Sequence, residues 1–238
     1  NEVILTKLQQ GTTYIYRVGD GENWSELQEF NTLKRKQSFE FAILGDTQSP
    51  SDLSDFNKIL GDLDQKDLSF MIHVGDLIDE SSKFKQWDDT LRTMSQYNKI
   101  RSTDLVAALG NHEYMGDVDG HLAKAIFNWP ENGPDADKGG TYSVDYNNMH
   151  ISVLGYTDNS EILNKQLEWL KRDVQNSDKP WKILVTHKPP YFTNPFGGNA
   201  IMKEKLPPVV DELGIDIVFS GHDHSYGRTK KLKAGKED

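Results

Sequence analysis

The chain has 238 residues, of which 36% are hydrophobic, 27% charged and 10% aromatic, so it carries enough apolar material for a large core and too little bias for a disordered or fibrous protein. Lys and Arg total 27 against 37 Asp and Glu, a formal charge of −10, and no basic cluster is denser than Lys34-Arg35-Lys36 or Arg228-Thr229-Lys230-Lys231, which disfavours a non-specific nucleic-acid binder. With no cysteine, disulfides, thiolate metal sites and cysteine nucleophiles are excluded together, and any bound metal must be held by His, carboxylate, amide, Tyr or water.

The first residues, NEVILTKLQQ, lack the basic start and apolar run of a signal peptide, and no stretch approaches the roughly 18 apolar residues of a membrane span. Residues 12–18 and 24–30 are β-branched and aromatic around Gly19-Asp20-Gly21, which predicts two strands joined by a turn. A lone hairpin is barely stable, so residues 1–33 read as the closing strands of a β-sandwich whose earlier strands lie outside this sequence, with 34–38 as a polar linker. From residue 39 short apolar runs at 39–44, 68–74, 105–109, 151–154, 183–185 and 215–219 alternate with helical stretches at 53–63, 84–100, 162–174 and 201–213. Ile162, Gln166, Trp169, Leu170 and Val174 share one helical face with a single polar member. Alternation of this kind predicts an α/β domain with a mainly parallel sheet, and 141–145 with 150–154 around Asn147-Asn148 predicts one antiparallel hairpin within it. The polar tail from 233 to 238 is expected to end the ordered chain.

Five strand ends run into metal-capable residues: Gly45-Asp46-Thr47-Gln48, Gly75-Asp76-Leu77-Ile78-Asp79, Gly110-Asn111-His112-Glu113, Thr186-His187-Lys188-Pro189 and Ser220-Gly221-His222-Asp223-His224. Ligands of open α/β sheets collect outside the carboxyl ends of the strands, so the five loops share one edge. Each motif alone is weak: a single Gly-Asp or Gly-Asn-His-Glu is more often a turn or loop, and His-X-His is the stronger signal but also reads as a polar turn. Together they offer two carboxylates, one amide oxygen and three imidazoles, a donor set for two divalent or trivalent ions, with Asp76 placed to bridge them and offset their repulsion. Two ions about 3.5–4 Å apart are a recurrent device for phosphate-ester hydrolysis.

These motifs, in this order from Gly45 to His224, resemble those of the calcineurin-like metallophosphoesterases, most closely the purple-acid-phosphatase branch. Smaller echoes are Thr141-Tyr142-Ser143-Val144-Asp145, Lys188-Pro189-Pro190-Tyr191 and Phe219 through Tyr226. The resemblance implies an αββα sandwich of two mixed sheets flanked by helices over residues 36–238, preceded in 1–35 by the C-terminal part of a fibronectin-III-like β-sandwich. It implies hydrolysis of phosphate monoesters of small substrates by metal-activated hydroxide, two Mn, Zn or Fe ions, and a location outside the cytoplasm. A phosphodiesterase acting on cyclic nucleotides or other diesters is the alternative within the fold, and a non-catalytic interaction scaffold the alternative outside enzymes. By matching motif, one ion falls to Asp46, Asp76 and His224 and the other to Asp76, Asn111, His187 and His222, while His112 contacts the phosphate or protonates the leaving oxygen, with Glu113 holding its ring.

The chain departs from the purple branch at Asp79, where the family's coloured members carry an iron-bound tyrosine, and from the non-purple relatives at Gln48, where they carry histidine. A colourless protein is therefore expected, with Gln48 or Asp79 as possible extra ligands and Mn, Zn or Fe(II) favoured. Gly227 stands where the purple branch often has Glu before the arginine matched by Arg228. Tyr114, Tyr191 and Arg228 adjoin motifs and are possible substrate contacts, whereas His73 and His150 read as satisfied core residues and His121 as the start of a helix.

Overall fold

The computed structural model describes residues 3–33, 38–192, 199–233 and 235–237, so most of the expected linker and all of its basic cluster lie outside the described residues. Strands β1 (Thr13–Tyr16) and β2 (Gln28–Asn31) form a separate antiparallel pair, with Tyr14 stacked on Phe30 at 5.5 Å between centroids.

Two sheets then carry the α/β domain. In the first, β3 (Glu40–Leu44), β4 (Leu68–His73) and β5 (Asp104–Ala107) run parallel in that order, because α1 (Ser54–Asp64) and α2 (Phe84–Ser95) supply the crossovers. This sheet is wholly parallel; only the second is mixed, which corrects the expectation of two mixed sheets. There, β6 (Tyr142–Tyr146) and β7 (Met149–Leu154) form the expected antiparallel hairpin, and β8 (Trp181–Thr186) and β9 (Ile217–Phe219) add in parallel to give the order β6-β7-β8-β9. Helices α4 (Ser160–Asn176) and α5 (Ala200–Leu213) make its crossovers.

Strand alternation sorts the second sheet into two faces. Ile151, Val153, Ile183 and Val185 point into a core shared with β4, β5 and the α1 and α2 residues Phe56, Leu60 and Trp87. Leu154 and Leu184 point the other way, onto Leu163, Leu167, Leu170 and Val174 of α4 and Met202, Leu206 and Val209 of α5. The result is helices, sheet, sheet, helices. Among the described residues no helix is long and apolar enough to cross a membrane.

Four details refine the sequence reading. The helix expected over 84–100 stops at Ser95, and a 3-10 turn (Ile100–Ser102) follows, because Asp64 Oδ1 accepts from Lys99 N at 2.8 Å and Ile100 N at 3.4 Å and draws the chain out of the helix. The helix expected to start at His121 does so, as the seven-residue α3 (His121–Phe127), and the left-handed residues Gly120 and Asn128 bound it. On α4 the buried face is Leu163, Gln166, Leu167, Trp169, Leu170 and Val174, with Ile162 only half buried. In the tail, β10 (Leu232–Lys233) pairs with β11 (Lys236–Glu237).

The polar member of the α4 face has a purpose. Gln166 is fully buried and the two N–H groups of its Nε2 are shared among Asp137 Oδ2 at 2.8 Å, Thr141 Oγ1 at 2.9 Å and Gly155 O at 3.0 Å, while Thr141 Oγ1 donates to Asp137 Oδ2 at 2.6 Å and Lys124 Nζ lies 3.5 Å from Asp137 Oδ1. One buried carboxylate thus joins α3, the start of β6, the end of β7 and α4. Replacing Asp137 with Ala strands these donors, and urea denaturation is expected to show a loss of about 3 kcal/mol.

Candidate metal centre

Every parallel strand delivers its next residue to one edge, and the backbone there is held out of its ordinary range. Among the described non-glycine residues with positive φ are Asp46 (52°), Asp76 (57°), His222 (71°) and His224 (50°). Side-chain-bearing residues adopt this region at a cost that the surrounding structure must bear, and such strain collects at functional sites. The glycines beside them allow the loops to converge: a Cβ on Gly110 would overlap Asp76 Oδ1, and one on Gly75, itself at φ 99°, would stand 2.6 Å from His187 Nδ1.

Two donor groups result. Asp76, His187 and His222 each place a ligand atom within 4.8 Å of the others, as do Asp46, Asp76 and His224, so Asp76 belongs to both. His187 Nε2 lies 3.1 Å from Asp76 Oδ2, 3.1 Å from Asn111 Oδ1 and 3.2 Å from His222 Nδ1, and His224 Nε2 lies 3.6 Å from Asp46 Oδ1. His187 Nδ1 donates to Val74 O at 2.9 Å, which aims Nε2 at Asn111, Asp76 and His222 and makes it the lone-pair atom in the neutral ring that a cation would require. All six residues singled out as metal ligands are brought to this edge.

The electrostatics suit cations. Burial pushes Asp46 above the usual carboxylate range against the pull of His187 and the His222 backbone N–H, and burial followed by the charge of His187 pushes His222 down. Asp76 is also penalised by burial, but its hydrogen bond and charge pairing with His187, with help from His112, hold it low. A cation between these groups would relieve the cost on Asp46 and find His222 already neutral. Carboxylate, imidazole and amide donors without thiolate fit Mn, Zn or Fe.

The residues around this set take distinct places. His112 N donates to Asp76 Oδ1 at 2.9 Å, its Nδ1 donates to Asp79 O at 2.6 Å, and its Nε2 is 3.9 Å from Asp76 Oδ2. The Asp79 carboxylate lies 3.7 Å from His112 Nδ1 and is in neither donor group, while the backbone carbonyl of Asp79 is what orients the His112 ring. Gln48 keeps the role of possible extra ligand: its Nε2 is 3.3 Å from His224 Nε2, and its buried Oε1 has no hydrogen-bond partner. Glu113 does not hold the His112 ring, contrary to expectation; its carboxylate accepts from the backbone N–H groups of Asp76, Leu77, Ile78 and Gly110. His73 is the satisfied core residue expected, with Nε2 2.9 Å from Thr47 Oγ1, Nδ1 accepting from Gly75 N and a pKa pushed by burial to about 3.

Of the possible substrate contacts, Tyr114 packs its ring 5.9 Å from Tyr156, Tyr191 is partly exposed and Arg228 is exposed. Tyr156 and Asp158 were missed by sequence reasoning. Tyr156 hydrogen-bonds Asp158, which also accepts from Lys188 Nζ and from Asn199 Nδ2, each at 3.0 Å, and so ties the loop after β7 to the residue following His187 and to the start of α5. The signal available was only that β7 also ends at this edge, in a loop without the Gly-Asp, Gly-Asn, Thr-His or Gly-His pairs that mark the others.

Residues 39–226 match the family model described as calcineurin-like phosphoesterase. The chain is similar to purple acid phosphatase 21 of Arabidopsis thaliana, 28% identical over 250 aligned positions that cover 100% of this chain and 55% of that protein. It is similar to acid phosphatase type 7 of Mus musculus, 27% identical over 262 positions covering 96% and 56%. It therefore spans little more than half the length of these relatives. A solved purple acid phosphatase from yellow lupin (Lupinus luteus) seeds superposes with a TM-score of 0.73 at 20% identity, over 92% of this chain and 45% of that one, which is a likeness of fold.

Proposed function

Because the chain belongs to the calcineurin-like phosphoesterase family, we propose that it is a dinuclear metal-dependent phosphoesterase that hydrolyses phosphate monoesters of small substrates. The observation that carries this reading is the membership of Asp76 in both donor groups. In it Asp46, Asp76 and His224, with Gln48 within reach, would hold one cation, and Asp76, Asn111, His187 and His222 would hold the other. When bound, the two cations would supply Lewis-acid activation of water and positive charge opposite the phosphoryl oxygens. With no tyrosine at position 79, the iron form is colourless.

The protein's own groups do the rest. His112 gives its Nδ1 proton to a hydrogen bond with Asp79 O, which leaves Nε2, 3.9 Å from Asp76, as the atom that carries a proton to the departing alcohol. Asp79 keeps the ring in that orientation, and Tyr114, Tyr191 and Arg228 are assigned to the alcohol's surroundings. Replacing His112 with Asn is expected to lower kcat on an aryl phosphate by about 10²–10⁴-fold, with metal content by mass spectrometry unchanged. Full metal content without turnover in the parent chain would favour the scaffold reading, and preference for a bis-aryl phosphate the diesterase one.

Residues 1–35 we take as the closing part of a fibronectin-III-like β-sandwich, and 36–238 as the catalytic domain. In support, the β1–β2 pair is a two-stranded sheet with Ile15, Val18, Trp24 and Leu27 at 51–67% exposure, apolar residues that a sandwich would cover.

A further inference from the structure

His150 lies in none of the metal-binding groups, and both of its ring nitrogens face carboxylates. Nδ1 is 2.8 Å from Asp145 Oδ1 on β6, and Nε2 is 2.9 Å from Asp173 Oδ2 on α4. An ionised carboxylate only accepts, so two such hydrogen bonds require a proton on each nitrogen, which makes the ring an imidazolium. Asp173 is a prepared partner, for it also accepts from Ser143 Oγ and Ser152 Oγ, each at 2.7 Å. His150 and Ser152 occupy alternate positions on the α4-facing side of β7, where Leu154 meets the apolar α4–α5 core, so a charged cluster replaces hydrocarbon at this end of the same face. The other charged groups nearby are Lys179, whose Nζ is 3.6 Å from Asp145 Oδ2, and Lys182, which is opposite His150 on β8 and donates to Ser177 O at 2.7 Å.

We propose that Asp145, His150 and Asp173 form a proton-dependent brace that holds the C-terminal half of α4 against the β6–β7 hairpin in mildly acidic solution and loosens as the solution turns alkaline. A neutral His150 has one N–H and must aim a lone pair at a carboxylate from a side chain that is only 8% exposed. Burial by itself would lower the His150 pKa, but the hydrogen bonds it gives to Asp173 and Asp145 outweigh it and raise it above 6.5; burial likewise opposes ionisation of Asp173, and the bonds it accepts from His150, Ser143 and Ser152 outweigh that and hold it below 3.8. The histidine's contribution is complete below pH 6.5 and is lost as pH rises through its folded value, whereas that of Asp173 is complete above pH 3.8 and is lost as pH falls through its own. The brace is therefore tightest between those limits.

The test compares thermal unfolding of the zinc-loaded chain and of His150→Gln, which removes the titrating charge. The wild-type advantage is expected to shrink by about 3 °C or more between about pH 5.5 and about pH 8.5. A gap that does not change with pH overturns the brace. Ring-nitrogen NMR of the wild type gives a second reading that needs no variant to fold: a His150 titration above 6.5 with both nitrogens protonated below it supports the brace, and a neutral ring at pH 6 overturns it.

Discussion

Replacing Asp76 with Asn is expected to cost the chain both cations at once, with metal content falling from two to below one per chain. The side chain is 1% exposed, and it is the only residue common to the two donor groups found among the described residues. Asn keeps its volume and tolerates the left-handed backbone at φ 57°, where Ala would add strain, so the change isolates the lost charge. That charge is what lets two cations sit as neighbours, and the amide would also turn an N–H toward one of them. Turnover of an aryl phosphate should fall by more than the 10–100-fold that outer partners of a metal site typically cost. His224, far more exposed and in one group only, provides the contrast: His224→Asn should leave one ion bound. Two ions retained in Asp76→Asn, by mass spectrometry of the dialysed protein, would overturn the shared-ligand reading.

How much of this was legible beforehand depends on the distance over which a residue's partner is set. Asp46, Asp76, Asn111, His187, His222 and His224 each follow an apolar run, most with a glycine beside them, so the strand pattern and one topological rule suffice to bring them to one edge. The strands themselves are short and apolar and fall where expected. The partner of a buried polar side chain obeys no such rule. His150 looks like a core histidine because nothing at positions 145 or 173 announces that both carboxylates will meet it, one across a hairpin and the other from a helix 23 residues on. Gln166 is visible as a polar interruption of an apolar face, but Asp137, the group that explains it, lies in a 3-10 turn without periodicity. Asp79 keeps the spacing of a ligand, yet its carboxylate faces His112.

Glu113 shows the same limit with the largest expected effect on stability. Adjacent to His112, it reads as that ring's holder; folded, it is 2% exposed and takes Asp76 N at 2.9 Å and Gly110 N at 2.7 Å on one oxygen and Leu77 N at 2.7 Å and Ile78 N at 3.4 Å on the other. It joins the loop after β4 to the loop after β5, and so fixes Asp76 relative to Asn111. Burial and the charge of Asp76 push its pKa up, and the N–H groups push back. Every partner is a donor, so the ionised carboxylate is the form that satisfies the geometry. Glu113→Ala strands these buried amides and should cost about 3–5 kcal/mol in urea denaturation, a large share of a typical domain's 5–15. Glu113→Gln fills the space but turns an N–H toward backbone N–H groups, and should still cost about 1–3 kcal/mol. Were Glu113 only a holder of the His112 ring, both variants would keep their denaturation midpoints and lose kcat alone; unchanged midpoints would therefore overturn its role as the tie between the two loops.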